Sequence, residues 1–311
     1  LARKRVAQMT AQPEPLLVID IGGTTVKYGV WSQQRLIHKN RLTTPRTWPE
    51  LLATIVRMRQ ELALPFAGVA ISLPGSVDTV AGKISGTSAV DYLNDFPIKT
   101  ALKQALGLPV SIQNDANCAA LAETWQGNAR DVADVALLVV GTGVGGAVVL
   151  DHQLVSGQQN FAGEFGYQVM TAQGETLSEL GSPVRMAERY SRLAKLARPV
   201  SAKAVYQAAE QGDDLAQFCI NDMLNWLSCA AFNLFVSLNP QRLLIGGGIS
   251  GRPGFVDDLK QRVQRLLKQH GAPLIADIAA CKFHNDANLI GAVYQFYVEN
   301  GNDTTVKVVS A

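Results

Sequence analysis

The sequence predicts an α/β fold of two related lobes, and three observations carry that prediction. Residues 17–31 read as an apolar strand, a tight turn at Gly22-Gly-Thr-Thr25 and a second strand, and Arg35-Leu-Ile-His38 continues as a third. Residues 135–155 repeat that order, with a strand over 135–140, a turn at Gly141-Thr-Gly-Val-Gly-Gly146, a strand over 147–150 and a short turn into Gln153-Leu-Val155. Alternating helical and extended segments follow both units. A supersecondary unit repeated at the head of each half points to a duplicated architecture. With 311 residues, 47% of them hydrophobic, the chain can fill two cores.

In the first half, Leu51, Leu52, Ile55, Val56, Met58 and Leu62 have helical spacing behind Pro49, which predicts a helix over 48–62. Residues 67–72 form a buried strand that ends in a sharp turn, Leu73-Pro-Gly-Ser-Val-Asp78. A helix over 100–106 closes at Gly107, a strand covers 110–113, and a helix runs over 116–125. In the second half, Gly163-Glu-Phe-Gly-Tyr167 leads into a polar loop. Helices are expected over 183–196, 201–211 and 214–237, the last stopped by Asn239-Pro240. A buried strand over 242–245 ends in Gly246-Gly-Gly248. An amphipathic helix over 255–270, a short strand over 275–281 and a final helix complete the chain. The domain reading is a first lobe over 14–127 completed by the helix at 285–299, a second lobe over 128–284, and flexible ends at 1–13 and 300–311.

Composition narrows the function. A net charge of +2 gives no electrostatic argument for nucleic acid. The four cysteines, Cys118, Cys219, Cys229 and Cys281, lie far apart without zinc spacing, which favours a reducing, cytoplasmic setting. No apolar run is long enough for a transmembrane helix, and the first residues lack the apolar core of a signal peptide.

Two acids stand out. Asp20 closes a buried strand beside a glycine turn, where a carboxylate is costly unless something pairs with it. Bare backbone N–H groups and the hydroxyls of Thr24 and Thr25 suit a phosphate, and Asp20 suits its Mg²⁺; an ordinary hairpin with a satisfied acid reads the same way. The second copy of the turn has Val140 or Gly141 where the first has Asp20, so one metal position serves both. Asn114-Asp115 opens a helix after a strand and serves either as an N-cap or as a base. Gly141, Gly143 and Gly146 also fit the dinucleotide fingerprint, which requires a helix next; residues 147–150 are strand-like and weigh against it.

Asp20-Ile-Gly-Gly-Thr24, Asn114-Asp-Ala-Asn117, Gly141-Thr-Gly-Val-Gly-Gly146, Gly163-Glu-Phe-Gly166 and Gly246-Gly-Gly248 occur in the order of the ROK family, which the chain resembles over residues 16–298. The resemblance implies two actin/hexokinase-like (ribonuclease H-like) lobes with an interlobe cleft. It implies ATP and Mg²⁺ as cofactors, with Asp20, Gly22, Gly23, Thr24, Thr25, Lys27, Gly141, Thr142 and Gly143 at the phosphates and Gly246, Gly247 and Gly248 at the adenosine. Asp115 matches the family's catalytic base. Gly75, Asp78, Asn114 and Glu164 match sugar-side positions, Glu179 stands as a second sugar glutamate after a shortened loop, and Asp91 stands near where many members carry a sugar-contacting Asn.

The departures from the family are specific. Tyr167 replaces a histidine, and no cysteine lies between Cys118 and Cys219, so zinc is expected to be absent. This pattern is similar to the β-glucoside kinases of the family. The expected activity is transfer of the γ-phosphoryl of ATP to a hydroxyl, O6, of a hexose or β-glucoside. The alternatives are a kinase for glucose, fructose or N-acetylmannosamine, or a non-catalytic sugar-sensing regulator. Family repressors carry a helix-turn-helix domain, and about fifteen residues before the first strand are too few for one, so no nucleic-acid or membrane partner is expected. A homodimer follows from the resemblance alone.

Overall fold

The computed structural model describes residues 14–301 and 307–309. The ends expected to be flexible lie outside the described residues, except for Asn300, Gly301 and a strand at Lys307–Val309. The chain divides into two compact units, residues 1–118 with 288–304 and residues 119–287 with 305–311.

The first unit is built on β1 (Leu16–Ile21), β2 (Thr25–Ser32), β3 (Arg35–Thr43), β4 (Gly68–Leu73) and β7 (Val110–Asn114), in the order β3-β2-β1-β4-β7. The first three strands are antiparallel neighbours, while β1, β4 and β7 run parallel. Every residue of β1, β4 and β7 is buried, as expected for strands covered on both faces. Between them lie α1 (Trp48–Leu62), the short hairpin β5 (Ser76–Asp78) and β6 (Lys83–Ser85), and α2 (Ile98–Leu106). Helix α1 starts at Thr47, whose hydroxyl accepts from the Glu50 N–H, and it buries Leu51, Thr54, Ile55 and Met58. The helix α3 (Asp115–Gln126) follows β7 without a loop, and the unit boundary falls inside it.

The second unit repeats the strand order. β8 (Val135–Val140), β9 (Val144–Leu150) and β10 (Gln153–Val155) are antiparallel neighbours. After β10 come α4 (Leu177–Gly181), α5 (Pro183–Leu193), α6 (Ala202–Glu210) and α7 (Asp214–Leu238). Then β11 (Arg242–Gly246), α8 (Phe255–Gln269) and β12 (Ile278–Ala280) close the unit, with β11 and β12 parallel to β8. Helix α7 runs through the core and buries Cys219, Met223, Leu227, Ala230, Ala231 and Leu234 on successive turns. The last helix, α9 (Ala287–Glu299), is followed by β13 (Lys307–Val309), which adds to β10 at the sheet edge. Among the described residues no helix is long and apolar enough to cross a membrane.

Several elements differ from expectation, among them α4, which stands in a stretch read as polar loop. Strand β3 reaches Thr43 instead of residue 38, because an edge strand with mostly exposed residues carries no apolar alternation. Strand β5 lies within the 73–78 segment read as a sharp turn and pairs with β6, whose residues carry no sequence expectation. Strand β9 starts at Val144, so Gly145 and Gly146 lie inside the ladder opposite Val139 and Leu138.

Candidate active site

Asp20, Gly75 and Asn114-Asp115 sit at the carboxyl ends of the first unit's three parallel strands, where open α/β sheets bind ligands. Asp20 is next to last in β1, and register places Lys27 beside it on β2 and Ser72 on β4. Its Oδ1 accepts from the Ser72 hydroxyl at 2.8 Å and from Asn288 Nδ2 at 3.2 Å. Lys27 Nζ approaches Oδ2 at 3.3 Å. The carboxylate is thus buried and fixed, yet among the described residues Oδ2 faces a single long, half-exposed ion pair. An anionic oxygen that is held but not saturated fits a hydrated Mg²⁺ beside a phosphate.

The turn after Asp20 is exposed at Gly23 and Thr24 and is tied back by the Thr44 hydroxyl, which donates to the Gly22 carbonyl at 2.6 Å. A Cβ on Gly23 would stand 2.9 Å from the Ala89 carbonyl oxygen, so the 86–91 loop lies against this turn. Gly75 has φ +85° and packs on Ser88 of the same loop.

Asn114 settles the capping question within its own segment. Its Oδ1 accepts from the Asn117 N–H at 3.0 Å, the bond of an N-cap. Its Nδ2 donates to the Gly75 carbonyl at 2.9 Å and to Asp115 Oδ1 at 3.0 Å. Asp115 therefore stands on the first turn of α3 with its side chain steered by the cap residue, and Oδ1 also accepts from the Ala116 N–H. One turn later, buried Cys118 feels both acids. Burial pushes its thiol well up, and the charges of Asp20 and Asp115 add to that.

A buried chain of amides supports this corner. Gln113 Oε1 accepts from the Asn114 N–H at 2.8 Å, and its Nε2 donates to Gln295 Oε1 at 3.2 Å. Gln295 in turn donates to Glu299, which pairs with Lys99 at 2.8 Å. Helix α9 thus supplies Asn288 to Asp20 and Gln295 to the strand that carries Asn114. Its close approach depends on Gly291, where a Cβ would overlap the Cys118 carbonyl.

Two expected residues are not brought to this corner. Asp78 Oδ1 accepts from the Val80 and Ala81 N–H groups and closes the far end of the β5–β6 hairpin. Asp91 is exposed on a 3₁₀ turn, while Ser88 and Asn94 of the same loop bond to each other at 2.7 Å.

In the second unit the loop 141–143 joins β8 to β9 and is clamped from the 176–182 segment. The Ser178 hydroxyl accepts from the Val144 N–H at 3.0 Å and donates to the Val144 carbonyl at 3.3 Å. The Ser182 hydroxyl donates to the Thr142 carbonyl at 2.9 Å while capping α5. Glu179, expected at the sugar, is exposed and accepts from the Thr176 N–H and hydroxyl, both at 2.8 Å, in a capping box. Those hydrogen bonds hold its carboxyl below the ordinary value.

The 163–166 loop lies on the same strand. A Cβ on Gly146 would meet the Phe165 ring, and one on Gly166 would overlap the Val144 carbonyl. Glu164 is half-buried in this loop, and burial pushes its carboxyl above the ordinary value. At the end of β11, Gly247 adopts φ +83° against the Val140 carbonyl, whereas nothing lies within 4 Å of a Cβ on Gly248. The 246–248 turn therefore flanks the 141–143 loop with open space beside Gly248. Among the described residues no group of three or more His, Cys, Asp or Glu side chains is arranged to hold a metal.

Ser72, Asn288, Gln113, Gln295, Ser178 and Ser182 were not anticipated. Only Ser72 left a trace, as a polar residue ending a buried strand. The others lie far in sequence from what they touch, or look like ordinary helix residues.

A duplicated mixed sheet with glycine turns and single acids at the strand ends defines an α/β fold that matches ROK-family, actin/hexokinase-like structures. The chain belongs to the ROK family, whose model matches residues 16–297. It is 34% identical over 291 residues to a beta-glucoside kinase of Klebsiella pneumoniae, covering 90% of this chain and 95% of that one. A beta-glucoside kinase of Listeria innocua is 32% identical over 298 residues, covering 91% and 98%. Among solved structures, a ROK family protein from Streptococcus pneumoniae in complex with sucrose superposes with a TM-score of 0.85 at 32% identity, covering 93% of this chain and all of that one.

Proposed function

We propose that this protein is an ATP-dependent carbohydrate kinase that phosphorylates a hydroxyl, O6, of a hexose or β-glucoside, with Asp115 as general base. The observation that carries this reading is the division of labour at Asn114-Asp115. Asn114 takes the helix cap, and Asp115 stands beside it with its orientation held by the Asn114 amide. The kinase relatives at 34% and 32% identity support the class.

In the reaction the sugar oxygen attacks the γ-phosphorus, the new O–P bond forms as the bond to the β-phosphate bridging oxygen breaks, and ADP leaves. The hydroxyl proton passes to the Asp115 carboxylate. Asp20 would hold the hydrated Mg²⁺, which neutralises phosphate charge. The Gly141 N–H is spent on the Gly143 carbonyl, so the 142–143 backbone is the part of this loop that would face phosphate, and the open side of Gly248 leaves room for adenosine. Glu164, whose half-buried carboxylate has no charged or hydrogen-bonding partner among the described residues, accepts from sugar hydroxyls.

Coupled ADP release with ATP and Mg²⁺ against a panel of hexoses and β-glucosides tests this reading. Asp115→Asn should retain sugar binding by calorimetry and lose at least about 100-fold in kcat. Equal turnover in that variant removes Asp115 as the base. No sugar-dependent ADP release from the folded wild-type protein removes the kinase.

A further inference from the structure

The 161–167 loop presents two aromatic rings to solvent on either side of Glu164. Phe161 is 49% exposed and Tyr167 66% exposed, with ring centroids 5.2 Å apart and planes at 54°. Two consecutive backbone bonds fix the spacing: the Glu164 N–H donates to the Phe161 carbonyl at 3.4 Å, and the Tyr167 N–H donates to the Glu164 carbonyl at 3.1 Å. Val169, 65% exposed, extends the apolar strip. The loop itself is rigidly seated, since Gly163 and Gly166 press on the backbone of Val144 to Ala147. Paired, ordered aromatics left open to water on a fixed loop mark a contact surface.

We propose that Phe161 and Tyr167 form a platform for the β-linked second ring, sugar or aryl, of a glucoside whose glucose is held by Glu164. This assignment rests on the sugar role of Glu164 proposed above. The chemistry favours such a ring. An aryl ring packs offset or edge-to-face against such an aromatic pair, and a second glucopyranose ring, whose ring substituents are equatorial, offers axial C–H groups to the same electron-rich faces. The Tyr167 hydroxyl adds a polar edge for the ring's own hydroxyls. Glu164 is tied by backbone hydrogen bonds to both aromatic residues, so one molecule with a hydroxyl-rich end and a ring end can engage the acid and the rings together. Free glucose covers Glu164 and leaves the aromatics wet.

The test is binding without nucleotide, so that it does not depend on turnover. Calorimetry measures phenyl β-glucoside and glucose against wild type, Tyr167→Ala, Phe161→Ala and Tyr167→Phe. The expected result is tighter binding of phenyl β-glucoside than of glucose by wild type, and a fall of about tenfold in that preference in either alanine variant. Tyr167→Phe should restore most of the preference. An unchanged preference in both alanine variants overturns the platform, as does wild-type binding that does not distinguish the two ligands. If a second copy of the chain covers the rings instead, sedimentation will show the variants dissociating while the preference stays unchanged, which also overturns it. Silence in the ADP assay with the expected binding shift removes the kinase reading and leaves the platform standing.

Discussion

Asn288 donates from its side-chain amide to Asp20 Oδ1 at 3.2 Å, across 268 positions of the chain. The last helix therefore aims the carboxylate proposed to face Mg²⁺. Asn288→Ala leaves Oδ1 with Ser72 alone. We expect about a tenfold rise in the KM for ATP and about 1 kcal/mol lower stability, read by ADP release and thermal unfolding. A lower Tm with an unchanged KM would make Asn288 purely structural.

The Gln113–Gln295 bond, 3.2 Å long and buried, supports the strand end that carries Asn114. Gln295→Leu strands the Gln113 amide and should cost about 1–3 kcal/mol in chemical denaturation. A double-mutant cycle with Gln113→Leu should return a coupling energy, because the partners share one network. Additive losses would show that the bond itself contributes nothing.

The Ser178 hydroxyl bonds both the N–H and the carbonyl of Val144, next to the 141–143 loop. Ser178→Ala should raise the KM for ATP several-fold while glucoside binding measured without nucleotide changes less. Glu179→Gln should weaken the α4 cap and leave sugar KM unchanged, since that carboxylate is committed to Thr176. A large rise in sugar KM in Glu179→Gln would restore it to the sugar site.

Glu164 has a carboxyl raised by burial, so the folded protein binds its proton at a pH where the unfolded chain does not. Its ionised form therefore costs stability at neutral pH, and stability attributable to it rises as pH falls toward and through the folded pKa. Glu164→Gln should raise Tm at pH 7, lose that pH dependence and bind sugar more weakly. In wild type, sugar affinity should fall on acidification at a pH above the ordinary carboxylate value. A pH-independent affinity across that range would exclude a carboxylate acceptor.

Gly247 and Gly248 separate folding from binding. Gly247→Ala forces a Cβ at φ +83° into the Val140 carbonyl and should cost about 2 kcal/mol or more. Gly248→Ala meets nothing in the folded chain, so its Tm should stay near wild type while the KM for ATP rises. An unchanged KM there would move the adenosine elsewhere.

The helices and central strands were legible because each buries one periodic face. Helix α1 spans Trp48–Leu62, the interval its apolar spacing predicts, and α7 ends at Leu238 before Asn239-Pro240. What escaped was structure without periodicity. Strand β3 is an exposed edge, β5 and β6 are three residues each, and α4 is a five-residue helix inside a polar stretch. The candidate site divides the same way. Asp20 and Asp115 were visible because an acid at a strand end beside a turn is conspicuous. Asp78 and Glu179 look alike in sequence, but each finds local N–H donors first, so the structure commits them to a turn and a cap.

The sequence by itself determined the two sheets, the glycine turns at their strand ends and the family, because periodicity and turn chemistry act over a few neighbouring residues. Only the tertiary structure decided which side chains serve the acids. Asn288 reaches Asp20 and Gln295 reaches Gln113 because the last helix packs through Gly291 against the start of α3. Ser178, and not Glu179, meets the 141–144 backbone because a helical turn presents neighbouring residues in directions about 100° apart. Such choices depend on where distant backbone comes to rest, and local sequence carries no record of that distance.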